Sequence, residues 1–427
     1  MKLQPKDLRV KKYLQRHLSA PVYQFDQVPD PRASRGRRWP LPTLLLTTLV
    51  GLMAGCKKLR EVEDQTDEMG PVGRRYIPAR VPDTTLYELL VRLEPAPLRP
   101  QLRRQVKTLA RHKALMPCGL PCGVLAFDGK GLGRLDHDAK GSAQKAHRAH
   151  DQSPYWLPRV LRAVLTSAAA KPALDQLSIP PDTNEMGVFA DFFEEQVLGY
   201  GDLFEIVTVD AGMTSRDNAN RVQAHDKGYV MALKENQPEL WAEARRQLLP
   251  LTSHPAQAET PWQRHQGKLI RRRQYRSLEM AGYHGWTHLQ QGWLVRQETR
   301  DPNDSEGRIT IEDRYFVTNL RKGRLGPSQI LLVVRNHWGI ENDCFWSLDA
   351  AFGEDTHPWA TQGHAVEVLG LLRLMAYNLL QLARKRHLRP RPVARQADLP
   401  SWQQLFRWVC QAMPLAVAPP TGPSPAD

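Results

Sequence analysis

Two short apolar runs, each closed by an aspartate, constrain what this chain can fold into more than any other feature. Val124-Leu125-Ala126-Phe127 ends at Asp128, and Phe204–Val209 ends at Asp210. Each run is too short for a core helix and does not alternate polar with apolar residues, so each predicts a buried strand. A third carboxylate comes from a later stretch, Arg335 to Asp355. It reads as a helix because Ile340, Cys344, Leu348 and Ala351 recur three or four residues apart, with Glu341 in its first turns. Two aspartates at strand ends and a glutamate on a late helix are a set that can converge around a metal.

The pattern between them predicts the architecture. Strands are expected at Val124–Phe127, Val160–Thr166 and Leu174–Ile179, with a loop or hairpin tip over 133–153. A helix then opens at Asp182 or Thr183, with Met186, Phe189, Ala190, Phe193 and Val197 along one face. The strand Phe204–Val209, a helix over 215–227 and the strand Tyr229–Leu233 complete the series. Three strands, helix, strand, helix, strand is the order of a ribonuclease-H-like core, in which acidic residues stand at the ends of the first and fourth strands. Asp128 and Asp210 fall at those places.

The fold class is therefore α/β: a ribonuclease-H-like catalytic core, an inserted mainly β subdomain and a helical N-terminal domain. The boundaries expected are 1–115 for the helical domain and 116–236 for the first part of the core. The insertion spans 237–325, the helical remainder of the core 326–383, and a basic linker, short helix and disordered tail 384–427. Within the first segment, Leu41–Cys56 is apolar but short of the roughly 20 residues that cross a bilayer, so it reads as a buried helix.

At 427 residues the chain is too long for one ordinary domain, and its 41% hydrophobic and 24% charged content suits a large core. Its net charge of +14 is spread along the chain, which favours a polyanionic partner, most often nucleic acid. Five cysteines, mostly in apolar stretches, suit a reducing cytoplasm, and Cys118 and Cys122 lack the second pair that a zinc site needs. A soluble, cytoplasmic protein is expected, associated with the nucleoid when bound to DNA and without a membrane role.

Cleaving or exchanging a phosphodiester requires charge to be neutralised on the attacking and the leaving oxygen. Two divalent ions about 3.5–4 Å apart do this, held by three or so carboxylates. A set of hard oxygen donors without thiolates selects Mg²⁺, or Mn²⁺, over zinc. Asp128, Asp210 and Glu341 supply such a set. For DNA contacts, Arg271, Arg272 and Arg273 lie in a basic run that a strand would lay along a phosphate backbone. Lys130 and Lys234 follow the ends of core strands and can reach phosphates or simply face solvent. Arg335, His337 and Trp338 either touch DNA or pack the glutamate helix, and Asn342 either orients Glu341 as an outer partner or faces solvent. Trp346 and Phe352 read as core.

Five pieces carry a family resemblance: Phe127-Asp128-Gly129-Lys130, Asn184-Glu185-Met186, Val207-Thr208-Val209-Asp210-Ala211, Tyr229 to Gln237, and His337-Trp338-Gly339-Ile340-Glu341-Asn342 with the following Trp346, Leu348-Asp349 and Phe352-Gly353-Glu354-Asp355. In this order they resemble the DDE transposases of bacterial insertion sequences, in the H-repeat-associated branch, over nearly residues 20 to 382. The resemblance implies that Asp128, Asp210 and Glu341 are the DDE triad and metal ligands. It implies strand cleavage and strand transfer on double-stranded DNA at element ends and on target DNA, by a homodimer or larger assembly. Phe345 stands where the family usually has a histidine, and His357-Pro358-Trp359 replaces a stretch that usually carries arginine. A metal-dependent nuclease without strand transfer, or a non-catalytic DNA-binding descendant, shares many of these features.

Overall fold

The computed structural model describes residues 12–13, 23–69, 77, 79–138, 143–304, 307–387 and 399–416. Among the described residues the first complete α-helices are α1 (Leu41–Ala54), α2 (Leu59–Asp67), α3 (Asp83–Arg92) and α4 (Arg99–Arg111). A proline in the first turn of α1 and Gly55 in the left-handed region at its end fix its limits. Between those ends α1 is apolar on nearly every side, so it must be covered all round. It is. Leu44 and Leu49 of α1 share one continuous apolar core with Phe127, Phe189, Leu372 and Leu379 from the rest of the molecule. The helices of the first hundred residues are thus packed into the body of the protein.

The sheet begins with β1 (Val124–Gly131), β2 (Ala143–His147), β3 (Pro154–Leu165) and β4 (Ala173–Ser178). Then come α5 (Glu185–Tyr200), β5 (Ile206–Val209), α6 (Arg216–Ala224) and β6 (Gly228–Leu233). All five strands expected in the core are present and in the expected order, and β2, within the expected loop or hairpin stretch 133–153, pairs antiparallel with β3. In space the central order is β4-β3-β1-β5-β6. Each neighbouring pair among the first three is antiparallel, whereas β1, β5 and β6 run parallel. Asn184 caps α5 by accepting from the Gly187 N–H, and the rings of Phe189, Phe192 and Phe193 pack edge-on around Phe127.

Residues 237–325 are the stretch expected to form an inserted, mainly β subdomain. They open with α7 (Pro238–Leu248), and then β7 (Ala258–Glu259), β8 (Gln263–His265), β9 (Lys268–Ser277), β10 (Gln291–Arg300) and β11 (Ile309–Thr318) follow. β11 pairs antiparallel with β6 at Tyr315–Thr318, so the insertion extends the core sheet into a single one of eleven strands. The free edge of β6 is what admits it: unsatisfied N–H and C=O groups there are met by β11.

The chain returns through α8 (Pro327–His337), a π-turn at Ile340–Phe345, α9 (Trp346–Ala350), α10 (Ala365–Leu382) and α11 (Trp402–Ala416). The helix Ala365–Lys385 is long and apolar enough to cross a membrane, but its apolar window is 89% buried within the protein. It serves as the central pillar against which α1, α3 and α4 pack. The tail beyond residue 416 lies outside the described residues.

Candidate active site

Strand register brings the two aspartates together. β1 and β5 are adjacent and parallel with Phe127 opposite Val209, so Asp128 and Asp210 follow side by side at the same end of neighbouring strands, whose spacing is about 4.8 Å. Alternation then sorts the faces. Phe127 points into the α5 aromatic cluster, so Asp128 points to the opposite side of the sheet, the side that α8 covers.

Asp210 leaves β5 as the cap of a single 3-10 turn, accepting from the Met213 N–H at 3.1 Å. The segment after β6 holds that turn in place: Asn236 donates to Ala211 O at 2.6 Å and Gln237 to Thr214 O at 3.1 Å. Lys234, in the same segment, is exposed.

Glu341 lies in the π-turn that follows α8 and is exposed. The end of α8 is fastened to β5 by His337, whose Nδ1 lies 2.9 Å from Thr208 Oγ1, two residues before Asp210. His337 is fully buried, and burial pushes its imidazole down to about 4 even though Asp210 pulls the other way. Of the two roles the sequence left open for His337, its burial and its bond to Thr208 favour packing of the glutamate-bearing segment.

Asp128 reports electrostatically on the whole group. It is 9% exposed, and burial together with repulsion from Asp210 and Glu341 pushes its carboxyl up to about 8. A hydrogen bond from the Gly129 N–H opposes this, and Glu185 adds further repulsion. Glu185, the first residue of α5, had no assigned role in the sequence reading. A Cβ on Gly129 would come within 2.4 Å of its Cγ, so glycine is what lets Glu185 lie against the β1 end. Asp210, Glu341 and Glu185 are thus each near enough to repel the Asp128 carboxylate, and Arg162, directly across the β1–β3 pair from Asp128, gives its guanidinium to Glu354 instead.

The acids whose oxygens crowd closest among the described residues are not these. Asp349, Glu354 and Asp355 have ligand atoms within 4.8 Å of one another. The Lys130 ammonium already binds all three, and Arg162 holds Glu354 from the buried side. Burial alone would raise the Glu354 carboxyl, but Arg162 and Lys130 hold it at about 2. That charge is neutralised from within, so the trio is an internal clamp between β1 and the helix after Glu341. Lys130 is 11% exposed along its side chain and its ammonium is engaged in this clamp, neither facing solvent freely nor turned to a phosphate in this arrangement. Phe345 is buried, with Lys130 and Arg162 over its ring at 5.9 and 5.4 Å.

The arginine run on β9 divides by strand alternation. Arg271 pairs with Glu298, and Arg273 with Glu259 and Glu298, so both are spoken for on one face. Arg272 points to the other face, where burial and the neighbouring Arg335 and Arg314 push its guanidinium down. Its Nε is buried without a hydrogen-bond partner. Arg314, which the sequence reading did not single out, stacks over Trp338 at 4.1 Å and pairs with Glu312, while Arg335 reaches Gln263 at 3.3 Å. Trp338 is half-buried in this packing. Asn342 donates to the Trp338 carbonyl at 2.9 Å, a bond that holds the turn, and not to Glu341. Phe352 is core as expected, but Trp346 is 56% exposed, so its reading as core is corrected.

A mixed sheet with acidic side chains where its parallel strands β1 and β5 stop pairing, and another acid on a π-turn near them, defines an α/β protein with an acidic group on its central strands. Two family models match the chain: DDE_Tnp_1-associated over residues 22–105, and Transposase DDE domain over residues 123–379. The second covers more than half of the chain, which belongs to the DDE transposases of insertion-sequence type. No curated protein matches it. Membership implies dependence on a divalent metal, and the donors present suit one: they are oxygen atoms only, and Asp128 carries a carboxyl that no described cation neutralises.

Proposed function

We propose that the chain catalyses metal-dependent cleavage of DNA strands at the ends of an insertion sequence and transfer of those ends to target DNA. Asp128, Asp210 and Glu341 are assigned as the catalytic carboxylates of a ribonuclease-H-like core. The observation that carries this reading is the side-by-side placement of Asp128 and Asp210 on β1 and β5, with Glu341 close enough to raise the Asp128 carboxyl. The strand order β4-β3-β1-β5-β6 supports the assignment of the core, since it sets three antiparallel strands beside two parallel ones around β1.

Two divalent ions, Mg²⁺ or Mn²⁺, would supply activation of water and neutralisation of the leaving oxygen. The chain's own part is to gather the oxygens. β1 and β5 fix the aspartates by backbone pairing, the Met213 N–H orients one oxygen of Asp210, and the His337–Thr208 bond sets where the Glu341 segment sits. DNA is held by the exposed Lys234 and by Arg272 with Arg335, whose guanidiniums repel one another in the absence of a polyanion.

The test uses duplexes taken from the genomic flanks of the coding region, labelled at one strand, with Mg²⁺ or Mn²⁺. Wild-type protein should nick them and join the freed 3′ end to a second duplex. Asp128→Asn and Glu341→Gln should each lose at least about a hundredfold in cleavage while keeping DNA affinity. Unchanged cleavage in both variants refutes the assignment, and nicking without joining narrows the activity to a nuclease.

A further inference from the structure

Trp346 is the single Phe, Tyr or Trp among the described residues that is exposed, at 56%. Its neighbours in sequence are not: Cys344, Phe345, Ser347 and Leu348 are all buried. An indole left in water at one point of an otherwise well-packed helical segment calls for a physical reason.

The π-turn supplies its position. In a regular α-helix, residues five apart are about 140° apart around the axis, so Trp346 would face away from Glu341. Here the Trp346 N–H donates to the Glu341 carbonyl, closing a wider turn that brings the tryptophan round towards the side of the glutamate. Asn342, between them, is also exposed. Glu341 and Trp346 therefore emerge on one side of the segment, and Glu341 is near enough to repel the Asp128 carboxylate. The turn is firmly held on its other side: Cys344 and Phe345 are buried in the core, and Asp343 is bound by Lys171.

Resting on the transposase reading above, we propose that Trp346 is a stacking platform for an unpaired nucleobase next to the scissile phosphate. A base presents a flat π-face of whatever sequence, and aromatic stacking is the common way proteins hold unpaired nucleotides. The chain's +14 charge suits a nucleic-acid occupant over an apolar peptide. Holding the base beside the phosphate keeps the strand aligned with the Glu341 carboxylate, so Trp346 acts as a positioning residue.

The test uses the full chain and a duplex with a short unpaired 3′ tail carrying 2-aminopurine, whose fluorescence falls when it stacks. In metal-free buffer, wild-type protein and Glu341→Gln should quench the probe. Trp346→Ala should bind the duplex without quenching, and Trp346→Phe should restore most of the effect. On cleavable flank duplexes, Trp346→Ala should lose about 5- to 150-fold in kcat/KM, with Trp346→Phe closer to wild type. Melting temperatures within about 2 °C of wild type should accompany this, since the side chain is exposed. Quenching and cleavage both retained in Trp346→Ala overturn the proposal. If wild type quenches through Trp346 but cleaves nothing, the base contact stands and the catalytic reading falls.

Discussion

The Nδ1 of His337 lies 2.9 Å from Oγ1 of Thr208, joining the helix that leads to Glu341 with the strand that ends at Asp210. Both groups are buried, so this tie between the two acid-bearing segments is shielded from water and involves no acid. Replacing His337 by Ala leaves the Thr208 hydroxyl without its partner and opens a void, costing about 1–3 kcal/mol. DNA cleavage should fall further than stability predicts, because Glu341 loses its reference point. Denaturant unfolding and cleavage measured on the same preparation check this. Cleavage unaffected at full folding would show that the bond does not place Glu341.

The Lys130 clamp predicts strong coupling. Lys130→Met leaves Asp349, Glu354 and Asp355 facing one another beside the buried Arg162, and should destabilise by about 3–5 kcal/mol. Adding Asp349→Asn should recover part of that loss, since one repelling charge is removed. A double-mutant cycle from urea unfolding measures the coupling, and additivity of the two changes would contradict a shared clamp.

Asp128 sets a pH dependence. Its carboxyl titrates at about 8 in the folded protein, against an ordinary value near 3.9 when unfolded. Between these the folded state holds the extra proton, so stability is lost as pH rises from about 4 towards 8. Without divalent ions, the melting temperature of wild type should therefore drop over that range more than that of Asp128→Asn. Mg²⁺ or Mn²⁺ should raise the wild-type melting temperature more at pH 8 than at pH 5, because ion and proton compete for the same oxygens. Equal metal effects at both pH values would remove Asp128 from the ligand set.

The β9 arginines should separate by face. Arg272→Ala and Arg335→Ala should each weaken DNA binding across sequences and lower the salt slope by about 1. Arg271→Ala should leave the salt slope near that of wild type and act on stability instead, by exposing the Glu298 carboxylate. Fluorescence anisotropy over a salt series distinguishes them. A slope lowered equally by all three would mean that the ion pairs with Glu298 open on DNA.

Much of this architecture could be read along the chain because it rests on local pattern. Mostly apolar short runs mark buried strands, and the aspartate closing each run marked where β1 and β5 stop pairing, although β1 itself runs on to Gly131 beside β3. Helical spacing located the segment of Glu341. The order of elements then left few arrangements of the core, and parallel pairing of β1 with β5 followed.

What local pattern leaves open is which distant groups meet. Lys130 and Asp349 are separated by the whole insertion, so nothing near Lys130 in the chain indicates that its ammonium is bound three ways. The same holds for His337, buried against Thr208, and for Arg162, which turns from Asp128 to Glu354. The burial of Phe345 and the exposure of Trp346, adjacent in the chain, depend on one widened turn that no spacing of apolar residues announces. Hydrophobic periodicity encodes which face of an element is covered. Charge pairing across the core and the phase of an irregular turn are set only when the packed elements compete for the same space.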